Sequence, residues 1–339
     1  MLSMKKVDMT KLARLAPALL LLVVSAVFAA CSGSTSSGKH LTLVAYSTPK
    51  EAFASLIAGF QSSQEGKDTS FSQSYGPSGD QSRAVAAGLG ADVVNFSLEP
   101  DVTRLVKAGL VPSNWNANAT HGFVSESVAV IIVRKGNPKH ISSWSDLVRP
   151  GIGVVTPNPF TSGGARWNVM AAYGAQLKEG KSDAQAQAYL QSLFHHVVSQ
   201  DSSARNALQT FLAGRGDALI DYENEAISDQ KKGAPIEYVV PNDTILIQSP
   251  IAILTKGNTV QAKKFVAYLL SPAGQKIWAQ QGYRPVVPGV ASPGQFPTPT
   301  GLFTIDSLGG WSQVAKRFFE PGTGIVTKIE QSLGVSTAK

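Results

Sequence analysis

Seven short runs of mostly apolar residues, spread over positions 41–255, constrain this chain more than any other feature. They are LTLVAY (41–46), ADVVNF (91–96), SVAVIIVR (127–134), GIGVVT (151–156), DALIDY (217–222), IEYVV (236–240) and PIAILT (250–255). Several are nearly continuous in apolar residues, as strands covered on both faces are. Windows of helical pattern alternate with them, at 49–62, 81–88, 99–108, 164–178, 183–194, 204–213, 260–281 and 311–319. Such alternation predicts an α/β fold with mixed, mostly parallel sheets. The 339 residues suffice for two domains of ordinary size, and a composition 43% hydrophobic and 16% charged predicts a packed core.

The first 30 residues stand apart. Lys5, Lys6, Lys11 and Arg14 make a basic start, and Ala16–Ala30 is an uncharged run too short for a comfortable membrane span. It reads as a secretory signal, 1–30, ending in small residues. Cys31, the one cysteine, follows directly, so the signal resembles that of bacterial lipoproteins, with Phe28 where those commonly have Leu. The resemblance implies a lipidated Cys31 and a protein anchored outside the cytoplasm. Residues 31–40, rich in Ser and Gly, read as a flexible tether. Four of the basic charges and Asp8 lie in the signal, which lowers the net charge from +7 to about +4. No basic stripe with interleaved aromatics remains, which argues against a nucleic-acid partner.

The helix starts carry the chemistry. Thr48-Pro49-Lys50-Glu51 and Ser78-Gly79-Asp80-Gln81 have capping-box form. Ser162-Gly163-Gly164, Ser203-Ala204-Arg205 and Tyr222-Glu223 open further helices straight after strands. The first N–H groups of a helix lack internal partners and sit at the positive end of the peptide dipoles, which suits an anion. Glycine lets the backbone approach a ligand closely, and Ser162 adds a hydroxyl. Ser is also the ordinary structural cap, so pattern alone reaches only an anion or polar-ligand binder.

TPNPFTSGGARWN (156–168), QSYGPSGDQ (73–81), VRKGNPKHISSWSDLVRPG (133–151), DYENEAI (221–227), SPAGQKIWAQQGYRP (271–285) and LFTIDSLGGW (302–311) are similar to stretches of the periplasmic sulfate- and thiosulfate-binding proteins, solute receptors of sulfate ABC importers. The likeness runs over about 41–320. It implies a two-lobed periplasmic-binding-protein fold of type II, with lobe I formed by 41–123 and 245–339, lobe II by 124–244, and a ligand cleft between them. It implies a monomeric receptor that hands sulfate to a membrane permease. It also implies donors at Ser78, at Ser162 through its hydroxyl, at Gly163 and Gly164 through N–H, at Ala204 through N–H, and at Tyr222. Tyr222 stands where members have Trp, so its backbone N–H transfers more directly than its side chain. Tyr75 and Pro77 replace His and Gly, and Asp221 replaces Ala. Asp80, Arg205 and Asp221 adjoin these positions; either acid would offer the acceptor that a protonated phosphate needs, and Arg205 is expected to brace the loop. A branched Cβ at Gly163 is expected to crowd the anion.

Other chemistries find little support. His195 and His196 are adjacent and point to different faces of a helix, and one cysteine makes no zinc set, so neither metal nor cofactor is expected. There is no G-x-S-x-G elbow and no Walker loop, which argues against an enzyme. A receptor for phosphate, molybdate or tungstate, an extracytoplasmic sulfate- or phosphate-ester hydrolase, and a surface adhesion protein remain as alternatives.

Overall fold

The computed structural model describes residues 39–337. The signal 1–30, Cys31 and the tether up to residue 38 lie outside the described residues. His40, read as the end of the tether, is the first residue of strand β1 (His40–Tyr46). The other strands are β2 (Ser70–Gly76), β3 (Val93–Asn95), β4 (Phe123–Arg134), β5 (Val154–Pro157), β6 (Val197–Asp201), β7 (Ala218–Tyr222), β8 (Ile236–Val239) and β9 (Leu246–Ile253). The helices are α1 (Lys50–Gln61), α2 (Ser78–Ala86), α3 (Glu99–Lys107), α4 (Gly163–Lys178), α5 (Asp183–His195), α6 (Ala204–Leu212), α7 (Glu223–Lys231), α8 (Thr259–Leu270), α9 (Pro272–Gln280), α10 (Gly310–Phe319) and α11 (Ile325–Ser332). Among the described residues no helix is long and apolar enough to cross a membrane.

The strands run in the order β2-β1-β3-β9-β4-β7-β5-β6, with β8 also paired to β4. β1 lies parallel to β2 and β3 in one half of this sheet, and β5 lies parallel to β6 and β7 in the other. β4 joins the halves. Its first part pairs with β9 over Phe123–Val128, and its second part pairs with β7 and β8 over Ala129–Arg134. Each half is covered on both faces. Phe53, Phe265 and Trp278 fill one side of the first half, and Val94, Phe96 and Leu105 the other. Ile131 of β4 faces the core with Trp144 and Met170, while its neighbours Val130 and Ile132 face the core with Leu208 and Phe211.

The two strands that the apolar-run pattern overlooks, β2 and β6, are the two outermost in that order. SFSQSYG and VVSQD are polar because an edge strand need not be buried on both faces. The window 260–281 is two helices. They part at Ser271, whose Oγ accepts from Gly274 N at 3.2 Å, with Pro272 opening α9. A Cβ on Gly274 would lie 2.2 Å from the Tyr268 carbonyl, so this corner excludes any larger residue. Helix α4 is buried almost all round, which makes it a central pillar rather than an amphipathic cover.

Of the segment after β9, α8 and α9 pack with the first half, and the part from Phe303 packs against α4 and α5. Trp311 packs edge-on against Trp167 at 4.6 Å, and Phe318 against Tyr173 at 4.8 Å. Phe303, Val326 and Ile329 join the same core, so the tail clamps α4 and α5. Glu330 of α11 is fully buried; Gln200 Nε2 donates to its Oε2 at 2.9 Å, while Glu330 Oε1 and Gln200 Oε1 are buried without partners. Burial raises this carboxyl to about 7 from 4.5. Between those values the folded chain binds more protons than the unfolded one, so stability falls as pH rises through that window. Glu330→Gln lets two amides satisfy each other. We expect it to raise stability by about 1–2 kcal/mol at pH 8 and to change little at pH 4, read from thermal unfolding at both values.

Candidate functional site

Corners from both halves of the sheet meet at one small cavity. Tyr46, Ser47 and Thr48 reach it from the end of β1, Pro77 and Ser78 from the end of β2, and Ser97 from beyond β3. Ser162, Gly163 and Gly164 come from the start of α4, Ser203 and Ala204 from the start of α6, and Tyr222 from the end of β7. These are carboxyl ends of parallel strands, where α/β sheets gather ligands. Among the described residues no carboxylate and no cation lines this cavity.

Neither capping box forms at α1 or α2. The N-cap of α1 is Pro49, and Glu51 pairs with Arg205 instead of turning back on Thr48. The N-cap of α2 is Pro77, and Gln81 Nε2 donates to Ser74 Oγ at 2.9 Å. Thr48 and Ser78 are thereby released from capping and sit at the cavity. The Ser78 hydroxyl has other work: it donates to Asp101 Oδ2 at 2.6 Å and accepts from Ser97 N at 3.0 Å. What Ser78 offers the cavity is its backbone N–H. The N–H groups of Ser78, Gly163, Gly164, Ala204 and Arg205 find no protein acceptor among the described residues. Ser162 Oγ accepts from Ala165 N at 3.4 Å, which leaves its own hydrogen to donate.

At Tyr222 both the backbone N–H and the side chain have protein partners. The backbone N–H, expected to serve a ligand, donates to Asp221 Oδ1 at 2.8 Å. The side chain is fully buried, and its hydroxyl lies 2.7 Å from Ser97 Oγ. Burial holds the Tyr222 phenol well above its ordinary range, so it stays neutral and able to donate. Asp221 is also fully buried, with Oδ2 unpartnered; desolvation, then the nearby Glu225, push its carboxyl up. It does not line the cavity.

The remaining expected neighbours stand outside the cavity. Arg205 bonds Glu51 at 2.6 and 3.1 Å, the Thr48 carbonyl at 3.0 Å and Glu225 at 3.2 Å. Asp80, half-exposed, pairs with Arg83. Gly163 and Gly164 have different roles. A Cβ on Gly164 would meet Ser162 Oγ, Ala204 and Tyr222 at 3.4–3.6 Å, facing the cavity walls. A Cβ on Gly163 would meet Ser97 and Leu98 at 2.8–2.9 Å, in the opposite half, so the crowding expected there falls on protein. Trp167 ties the same seam, its Nε1 donating to the Ser97 carbonyl at 2.7 Å.

Sequence reasoning missed Ser97, Tyr46 and Ser47 as cavity residues. Ser97 was findable, because NFSLEP places a hydroxyl between an apolar run and a helix start, the same signal that flagged Ser162.

A buried cavity walled by hydroxyls and free helix N–H groups defines a binding protein for a compact polar guest. The chain belongs to the bacterial extracellular solute-binding protein family, whose model matches residues 41–284. It is 36% identical to the sulfate-binding protein of Synechococcus elongatus over 90% of this chain and 92% of that one. It is 32% identical to the thiosulfate-binding protein of Pseudomonas aeruginosa, over 88% and 95%. Among solved structures, the sulfate-binding protein SubI from Mycobacterium tuberculosis aligns with a TM-score of 0.81 and 43% identity, over 83% of this chain and all of that one.

Proposed function

We propose that this protein is the extracytoplasmic sulfate receptor of an ABC importer, anchored through a lipid on Cys31. One observation carries the choice of guest: a buried cavity with several free donors and no carboxylate among its lining residues. Sulfate is fully ionised near neutrality and presents only acceptors. A phosphate proton in such a cavity lacks an acceptor, which costs about 1–3 kcal/mol, tenfold or more in affinity. The names of the relatives agree with this guest, and thiosulfate, which keeps three of the oxygens, is its close competitor. We take the two half-sheets as the lobes, with the tail from Phe303 on the second, and closure as rotation about β4 and β9. The mode of binding is the convergence of helix N-termini and hydroxyls, with the guanidinium of Arg205 held back as a brace.

Melting the purified protein with a panel of oxyanions tests this. A ligand at 100 times its Kd stabilises by about 2.7 kcal/mol, a shift of several degrees. We expect sulfate, and more weakly thiosulfate, to produce it, and phosphate and molybdate to fall short. An equal shift with phosphate rejects the donor-only cavity, and turnover of a sulfate ester would make the protein an enzyme.

A further inference from the structure

Beside the binding cavity lies a second hollow of similar size that shares Ser162 and Gly163 with it and is ringed by Arg83, Arg104 and Arg166. Three guanidinium groups meet there with the carboxylate of Asp101, and Asp80 stands just outside the lining. Asp80 pairs with Arg83, and Asp101 with Arg104 at 2.9 Å. Arg166 has no ion pair among the described residues: its Nε donates to the Pro159 carbonyl at 2.8 Å, and its guanidinium lies 4.7 Å over the Phe319 ring. Arg83 reaches back over the first turn of α2, where a Cβ on Gly79 would come within 3.2 Å of its Nη1. The three guanidinium groups outnumber the two carboxylates, so the corner keeps an excess of positive charge.

We infer that Arg83, Arg104 and Arg166 form a capture station that draws a dianionic oxyanion toward the mouth of the cavity and speeds its entry. This rests on the receptor reading. Helix dipoles act only within about a turn, so the N–H groups that hold the anion cannot attract it from solution. Full charges reach roughly 8–10 Å at physiological salt, so the net positive charge of this corner acts on an ion still in solution. The work is thus divided: guanidinium groups act on the approaching ion, and uncharged donors act on the bound one. Asp80, half-exposed at the rim, mutes Arg83 and sets the strength of the field.

Stopped-flow tryptophan fluorescence with sulfate, at low and high ionic strength, separates the two roles. At low salt Arg83→Gln with Arg166→Met is expected to lower kon about 3–10-fold and leave koff within about twofold. Asp80→Asn is expected to raise kon about twofold, an effect that loss of packing would not give. All rates should converge at high salt. If the double variant does not fold, Arg83→Gln alone, at a part-exposed site, should lower kon about twofold. On-rates blind to these charges, or an affinity loss carried by koff, overturn the capture station and leave the receptor intact. Wild-type protein that binds no sulfate overturns both.

Discussion

Gly163→Val is expected to weaken sulfate binding by about 100-fold while the free protein melts within a few degrees of wild type. The Cβ added at this position falls 2.8 Å from Ser97 Cβ and 2.9 Å from Leu98 Cδ2, and valine adds two more methyl groups. Both contacts join α4 to the chain beyond β3, so the clash appears only where the two halves meet. A form with the halves apart escapes it, which spares the unliganded fold and removes the bound state. Gly164→Ala is the matching control. Its Cβ meets neighbours at 3.4 Å or more, so it leaves the halves free to meet and narrows only the cavity. It should weaken binding without changing the open-to-closed balance measured by small-angle scattering. Equilibrium titration with labelled sulfate measures both. Valine at 163 with affinity within twofold of wild type would mean that Ser97 and Leu98 do not touch α4 in the bound state.

Arg205→Ala is expected to destabilise the fold by about 2–3 kcal/mol at pH 8, and by about 1 kcal/mol less at pH 5.5. Arg205 faces two acids. Glu51 is substantially exposed, and its pairing is screened by water, so it contributes little. Glu225 is buried, has Oε2 unpartnered, and is raised to about 7 from 4.5 by desolvation even with Arg205 holding it down. Without the cation its carboxyl rises further. Above pH 7 the wild type keeps an ionised, paired Glu225 where the variant must bury a lone charge or bind a proton; below that both are neutral. The extra loss therefore opens as pH rises through about 7 and closes below it. Thermal unfolding at the two pH values measures this, and a second substitution, Glu225→Gln, should return most of the pH-dependent part. An equal loss at both values would assign the role of Arg205 to the Thr48 carbonyl and Glu51 alone.

How far the sequence could be read depended on whether a residue's partner was local. The buried strands were legible because both faces are apolar, and β2 and β6 were not because each lies at an edge. Ser162, Gly163, Gly164 and Ala204 were legible because a strand followed by small residues and a helix is a local pattern, and the structure brings all four to the cavity. Ser78 reaches the same cavity, yet its hydroxyl is turned away by Asp101, 23 residues on, a partner no local pattern names. Tyr222 lost its N–H to the side chain of its own neighbour, since Asp221 sits where a small residue was expected and must find a donor once buried. The packing of the tail was not legible, because the apolar faces of α10 and α11 show that they dock, and not where.

The ribbon of β4 and β9 has a mechanical consequence. Five residue pairs lock the two strands over Phe123–Val128, and β4 then runs on without a break into the other half-sheet. Sliding one half past the other would shear every rung of that ladder together, whereas winding the ribbon a little tighter leaves the rungs intact. Two-stranded ribbons tolerate a wide range of twist. The molecule should open like a book on its spine, in one rotational coordinate, so that a permease would have a single angle to sense.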